Sequence, residues 1–145
     1  MLISTRGRYA IRVLIDIAEQ ATADNVRLKD IAERQEISQK YLEGIMTLLS
    51  KNGLIEGSHG KGGGYKLTRD PSDYKILEIL NATEDSLSPV SCLECNAKPC
   101  SRIAECRTLP MWRDLYSLVT KFFDGITIAD LMKKSDDSKY LSAML

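Results

Sequence analysis

A helix-turn-helix pattern that runs straight into a glycine-rich hairpin leaves this chain few folds to choose from. Leu28, Ile31 and Ala32 recur at helical spacing and predict a short helix over Leu28 to Arg34. Glu36 and Ile37 form the turn, and Ser38 is placed to cap a third helix. From Ser38 to about Asn52 two faces separate: Leu42, Ile45, Met46 and Leu49 are apolar, whereas Gln39, Lys40, Glu43, Thr47 and Lys51 line the opposite side. Gly53 supplies the stop. Two short helices joined by a tight turn present such a polar face to a major groove, where its side chains hydrogen-bond to base edges.

Any amphipathic surface helix has a polar face, so the continuation decides. Leu54-Ile55-Glu56 and Tyr65-Lys66-Leu67-Thr68 read as two short strands joined by the loop Gly57-Ser58-His59-Gly60-Lys61-Gly62-Gly63-Gly64, a hairpin wing. Its glycines allow positive φ and close backbone approach to a phosphate or a minor groove, with His59 and Lys61 as the reaching side chains. A nucleotide-cradling loop is the competitor, but no Lys-Ser or Lys-Thr comes after Gly62 and the loop opens no helix. His59 is the single histidine, and a ligand role or a solvated loop position are the other options for it.

On the flanks, Ala10, Val13, Leu14, Ile17 and Ala18 predict an opening helix that ends around residues 23 to 25. A helix from about Asp73 to Thr83 buries Ile76, Leu77, Ile79 and Leu80. Thr108 and Pro110 mark the start of a long helix through Phe123, with Met111, Leu115, Leu118, Val119 and Phe122 on one side and Trp112 and Phe123 widening the stripe. That stripe either caps the first unit or meets a second copy, and a winged reader of palindromic sites requires a two-fold dimer. Gly125 breaks the helix, Thr127 to Asp130 has the form of a capping box, and the tail from Ser135 is uninformative. The expected fold is mainly α with a small β wing. Residues 1–83 form a winged helix-turn-helix domain, 84–107 a cysteine-rich loop, 108–134 dimerisation helices and 135–145 a tail.

Net charge is zero, with 20 basic and 20 acidic residues, which argues against an indiscriminate polyanion binder. Distribution matters more. Arg6, Arg8 and Arg12 occupy the first fifteen residues with no acid, and His59, Lys61, Lys66 and Arg69 lie between Gly57 and Arg69, again with none. Local basic patches on a neutral molecule suit a selective binder, because phosphate contacts fix its position. No signal-peptide or membrane-spanning pattern is present, so a cytoplasmic location is expected.

All four cysteines, Cys92, Cys95, Cys100 and Cys106, fall within one fifteen-residue stretch. In a reducing compartment ligation is a better explanation for them than disulfides. An iron-sulfur cluster, of two or four irons, fits the thiolate set. Zinc is the alternative, although Cys100 and Cys106 are cramped for two knuckles. A thiol-redox switch or a Cys-x-x-Cys oxidoreductase is a third possibility, but no strand-helix-strand pattern surrounds the pair. No Ser/His/Asp set, paired carboxylates or nucleotide motif argues for an enzyme.

Several motifs stand together in one order: Gly7-Arg8-Tyr9-Ala10, Asp30-Ile31-Ala32-Glu33-Arg34-Gln35 with Ile37-Ser38, Tyr41-Leu42-Glu43, Lys51-Asn52-Gly53-Leu54, Gly62-Gly63-Gly64-Tyr65 and Trp112-Arg113-Asp114-Leu115. In these the chain resembles the IscR/NsrR/CymR family of bacterial winged-helix transcription regulators, the Rrf2 family, over roughly residues 1 to 134, and most of all its iron-sulfur regulators. The resemblance implies a homodimeric regulator, acting as a repressor, on a palindromic double-stranded operator. It implies that Gln39, Lys40, Tyr41 and Glu43, flanked by Ser38 and Thr47, face the major groove, that His59 and Lys61 act from the wing, and that Arg6 touches the DNA backbone. Trp112, Leu115, Leu118, Val119 and Phe122 would join the subunits. Cys92, Cys100 and Cys106 resemble the familial cluster ligands. Leu109 and Arg8 stand where relatives carry a histidine or an acid as fourth ligand, which leaves Cys95 for that place.

Overall fold

The computed structural model describes residues 2–20 and 25–133. Eight main elements run in order: α1 (Thr5–Gln20), α2 (Leu28–Gln35), α3 (Gln39–Lys51), β1 (Ile55–Ser58), β2 (Gly64–Leu67), α4 (Ile76–Thr83), α5 (Leu109–Asp124) and α6 (Ile128–Met132). This is the expected mainly helical architecture with a small two-stranded wing. The tail from Ser135 and most of the stretch where the first helix is expected to end lie outside the described residues.

One core organises the first four helices. Ala10, Val13, Leu14 and Ile17 of α1 meet Ile31 of α2, Leu42, Ile45, Met46 and Leu49 of α3, and Ile76, Ile79 and Leu80 of α4. Each is nearly inaccessible to solvent, and burying one such side chain stabilises by about 2 kcal/mol. The 3.6-residue period of these positions is what makes the segments helices facing a common centre. Glu36 adopts the left-handed conformation at φ 54° and its N–H returns to α2 carbonyls, so the chain turns within two residues and Ile37 drops into the core.

The wing is antiparallel, with Ile55 opposite Leu67 and Ser58 opposite Gly64. Both strands are displaced from their expected limits. The Leu54 N–H bonds back to Leu49 at the end of α3, so β1 starts only at Ile55; the Thr68 N–H is taken by the Tyr74 hydroxyl, so β2 ends at Leu67. Val26 and Tyr65 exchange both backbone hydrogen bonds at 2.8 Å. That approach explains Gly64, where a Cβ would lie 2.5 Å from the Val26 carbonyl oxygen.

Helix α4 begins three residues later than its sequence suggests. Pro71–Asp73 form a 3-10 turn capped by Asp70, and the next backbone groups are engaged elsewhere. The Ile76 N–H donates to the Ile126 carbonyl and the Ile128 N–H to Tyr74. The chain leaving α5 therefore returns to the first unit, fastened further by the Lys75–Asp124 ion pair at 3.0 Å. The Thr127–Asp130 capping box forms as the sequence predicts.

Candidate nucleic-acid interface and cysteine loop

The α2–α3 unit is locked to α1 from below. The Arg34 guanidinium grips the buried Asp16 carboxylate, and Gln35 adds a third side chain at 2.8 Å. With its apolar face packed, α3 has no choice but to turn the other face outward. Ser38 caps it by accepting the Tyr41 N–H. Gln39, Lys40, Tyr41, Glu43 and Thr47 are all exposed, so the side chains expected to face DNA are gathered on one solvent-facing surface. Tyr41 is steadied by the edge of Tyr9, with ring centroids 6.0 Å apart, and Arg12 lies over Tyr9. Thr47 donates its hydroxyl to the Glu43 carbonyl.

Gly44 sits in the middle of this face, a position that the apolar and polar periodicity leaves unmarked. It is exposed, and a Cβ there would meet nothing within 4 Å. A helix-interior glycine costs about 1 kcal/mol relative to alanine, which was the available signal.

The wing tip holds His59 and Lys61 in solvent, with Gly60 and Gly62 at positive φ as expected. A hollow of about 330 Å³ between α3 and the wing is lined by Met46, Thr47, Ser50, Lys51, Gly57, His59 and Tyr65. The helix face and the wing thus adjoin. Arg6 is placed differently from the other expected contacts. Its Nε donates to the Thr83 carbonyl at 2.6 Å and its guanidinium lies 3.9 Å from Asp85, so one of its five donors ties α1 to the end of α4.

The loop after α4 is anchored at its entrance. Glu84 accepts hydrogen bonds from the backbone and side chain of Ser4 at 3.2 and 2.7 Å, and Gly7 leaves room for this, since a Cβ there would collide with the Glu84 carboxylate. Sequence reasoning missed this latch because its partners are 80 residues apart. Leu87 and Ser88 are buried, and the next buried residue is Leu109. In between, short 3-10 turns at Ser91–Leu93 and Ile103–Glu105 hydrogen-bond only to near neighbours, among the described residues.

All four cysteines are free thiols; Cys92, Cys95 and Cys100 are exposed and Cys106 half-buried. They are not converged. Cys100 and Cys106 line one hollow with Arg102 and Arg107, whereas Cys95 lines another with Glu84, Glu94 and Tyr116. Among the described residues no group of three or more His, Cys, Asp or Glu side chains is arranged to hold one metal ion. The Thr108 hydroxyl, 3.5 Å away, and the Thr108 backbone N–H hold the Cys106 thiol below its ordinary pKa. Four soft thiolate donors suit iron-sulfur or zinc chemistry; the geometry requires the loop to rearrange around such a group.

Helix α5 buries only Leu109. Leu115, Leu118 and Phe122 of the expected subunit-joining row are exposed, Leu118 to 67% and Phe122 to 63%, while Trp112 and Val119 are half-buried. Met111 extends the exposed row. Among the described residues no helix is long and apolar enough to cross a membrane.

A helix pair and wing that turn one continuous polar surface outward from a shared core define a winged-helix DNA-binding regulator. The Rrf2 family model, described as an iron-dependent transcriptional regulator, matches residues 3–134. The chain belongs to the Rrf2 family. It is 37% identical over 137 residues to the HTH-type transcriptional regulator IscR of Escherichia coli (strain K12 / DH10B), covering 94% of this chain and 83% of that protein. Among solved structures, CymR of B. subtilis, described as the global cysteine regulator, superposes with a TM-score of 0.74 at 30% identity, covering 94% of this chain and 99% of that one. IscR of T. potens gives 0.71 at 29% identity, covering 97% and 96%. The chain is a DNA-binding transcriptional regulator of the IscR/CymR type, not an enzyme.

Proposed function

We propose that the chain works as a homodimeric repressor in the cytoplasm, gripping a palindromic operator through α3 and the wing, and that a thiolate-held iron-sulfur centre on the loop 84–107 sets the strength of that grip. Residues 1–83 read DNA, 84–107 hold the centre, and 108–134 join the subunits. Gln39, Lys40, Tyr41, Glu43 and Thr47 meet base edges or phosphates beside the Ser38 cap, and His59 and Lys61 extend the contact from the wing. Glu43 discriminates more than it binds, because a carboxylate repels phosphate but accepts from a cytosine amino group. Arg6 holds Thr83 through its Nε and keeps its terminal nitrogens for the DNA backbone.

One observation carries this reading: every cysteine lies on a largely exposed loop that joins the DNA-reading unit directly to a helix with an exposed apolar row. The family description, iron-dependent, supports iron over zinc. Cys92, Cys95, Cys100 and Cys106 would hold the group, which supplies a redox-active or labile crosslink when bound. The chain does the rest. Ser4 and Arg6 fix the entrance of the loop at Thr83 to Glu84, so the loop's freedom is felt at the start of α1 and at the base of α5. A tethered loop narrows the relative placements of two reading heads, and a slack one widens them.

Anaerobic purification with visible absorption, iron and sulfide content is the test, repeated with Cys95→Ala, together with operator binding by the loaded and stripped protein at fixed salt. The expected results are a coloured protein, weaker cluster retention in the variant, and different affinities of the two forms. A colourless protein with stoichiometric zinc would replace the cofactor, and equal operator binding across several sequences would remove the sensing role.

A further inference from the structure

We infer that Gly44 is a specificity-determining position, forming with Thr47 a notch on the exposed face of α3 that admits the 5-methyl group of an operator thymine. The inference rests on the DNA-reading role proposed for α3. Gly44 is the sixth of thirteen residues in the helix, far from either cap. Nothing among the described residues requires a glycine there. Its φ is not positive, and a Cβ would meet no atom within 4 Å. The reason for leaving out a side chain therefore lies outside the chain, in something that approaches the helix closely.

The surroundings indicate the chemistry of that approach. Lys40, one turn before, and Thr47, three residues after, share the same row as Gly44. Thr47 has its only donor committed to the Glu43 carbonyl, and Gly44 has no side-chain group to offer. Beyond Lys40 and Glu43, at Gly44 and Thr47, the face thus has a recess that presents carbon and no free donor. A base edge that needs a donor would go unpaired there, which is unfavourable. The apolar group that a major groove presents is the thymine 5-methyl, close in size to the missing Cβ.

The test uses the intact wild-type protein to select sites from a random duplex library, after which each thymine in the selected site is replaced in turn by deoxyuridine, lacking only the methyl. Gly44→Ala is expected to melt at a higher temperature yet bind the thymine site about tenfold more weakly or worse at fixed salt, the size of loss a mismatched base pair produces. At one thymine position, deoxyuridine should weaken the wild type and restore binding by the variant. A Gly44→Ala protein that binds the selected site as tightly as wild type, or a loss that no deoxyuridine relieves, overturns the assignment. Lys40→Ala and Glu43→Ala are measured alongside. If they weaken binding and Gly44→Ala does not, only the inference about Gly44 falls; if all three bind as wild type, the reading role of α3 falls with it.

Discussion

Arg34 meets Asp16 side-on, its Nε and a terminal nitrogen reaching the two carboxylate oxygens at 3.0 and 2.7 Å, and this pair joins α1 to the helix pair that carries the reading face. Asp16 is 3% exposed while Arg34 keeps about a third of its side chain in water. Arg34→Met should therefore destabilise the fold by about 3 kcal/mol, the low end for removing the partner of a buried charge, since some solvent reaches the site and Gln35 still donates to Asp16. Asp16→Leu combined with Arg34→Met should recover most of that loss. Urea unfolding of the four proteins in the cycle is the measurement, and additive effects would show that the pair is not coupled.

Tyr74 anchors the root of the wing. Its ring is fully buried, and its hydroxyl donates to the Leu54 carbonyl at 2.6 Å while accepting the Thr68 N–H at 2.8 Å. Tyr74→Phe keeps the packing but leaves those groups without a partner, and should cost about 2 kcal/mol. Faster hydrogen exchange at the Thr68 amide, observed by NMR, would locate the loss; unchanged exchange there would argue that the hydroxyl does not hold the wing.

The exposed row on α5 predicts an oligomer. The wild type should sediment at twice the 16.2 kDa of one chain, and Leu118→Glu with Phe122→Glu should sediment as a single chain. Because neither side chain contributes to the core, the double variant should keep its circular dichroism spectrum. A wild type that remains monomeric at all concentrations would remove the two-fold reader.

Acid should release α6 before the rest. The Thr127 backbone N–H and hydroxyl hold the Asp130 carboxyl below its ordinary pKa. A depressed folded pKa contributes stability that is fully present above the unfolded value, near pH 4, and is lost as pH falls through the folded one. Protection of the Thr127 and Asp130 amides, measured against the intrinsic exchange rate at each pH, should therefore fall at acid pH, and Asp130→Asn should remove that fall. A pH-independent protection of the Asp130 amide would contradict the cap.

Much of this was legible from periodicity. The apolar positions of α1, α3 and α4 stand out because the core is built at helical spacing, and Ser38, Gly53 and the Thr127 box because caps are local chemistry. What escaped was non-local. Nothing near Tyr74 announces that its hydroxyl ends β2, or that residues 74–76 pair with 126–128 and delay α4. Arg6 reads as a free cation in a basic stretch, yet it reaches across to Thr83, and Glu84 reads as an ordinary loop acid. The cysteine cluster was plain in the sequence, but spacing says only that thiols are near along the chain and not that their sulfurs point to one centre. Gly44 could have been singled out by its cost to the helix, a signal outweighed by its polar neighbours.

The double backbone bond between Val26 and Tyr65 couples the hairpin to the residue just ahead of α2, so helix pair and wing form one stiff tool. A tool of that kind has a fixed stride: the span from its groove-probing helix to its wing tip is inherited rather than adjusted. If two copies join through α5 as proposed, latitude toward different promoters comes from the hinge between them. In that proposed dimer, operators that vary within a half-site would be sorted by α3, and those that vary in the distance between half-sites by α5.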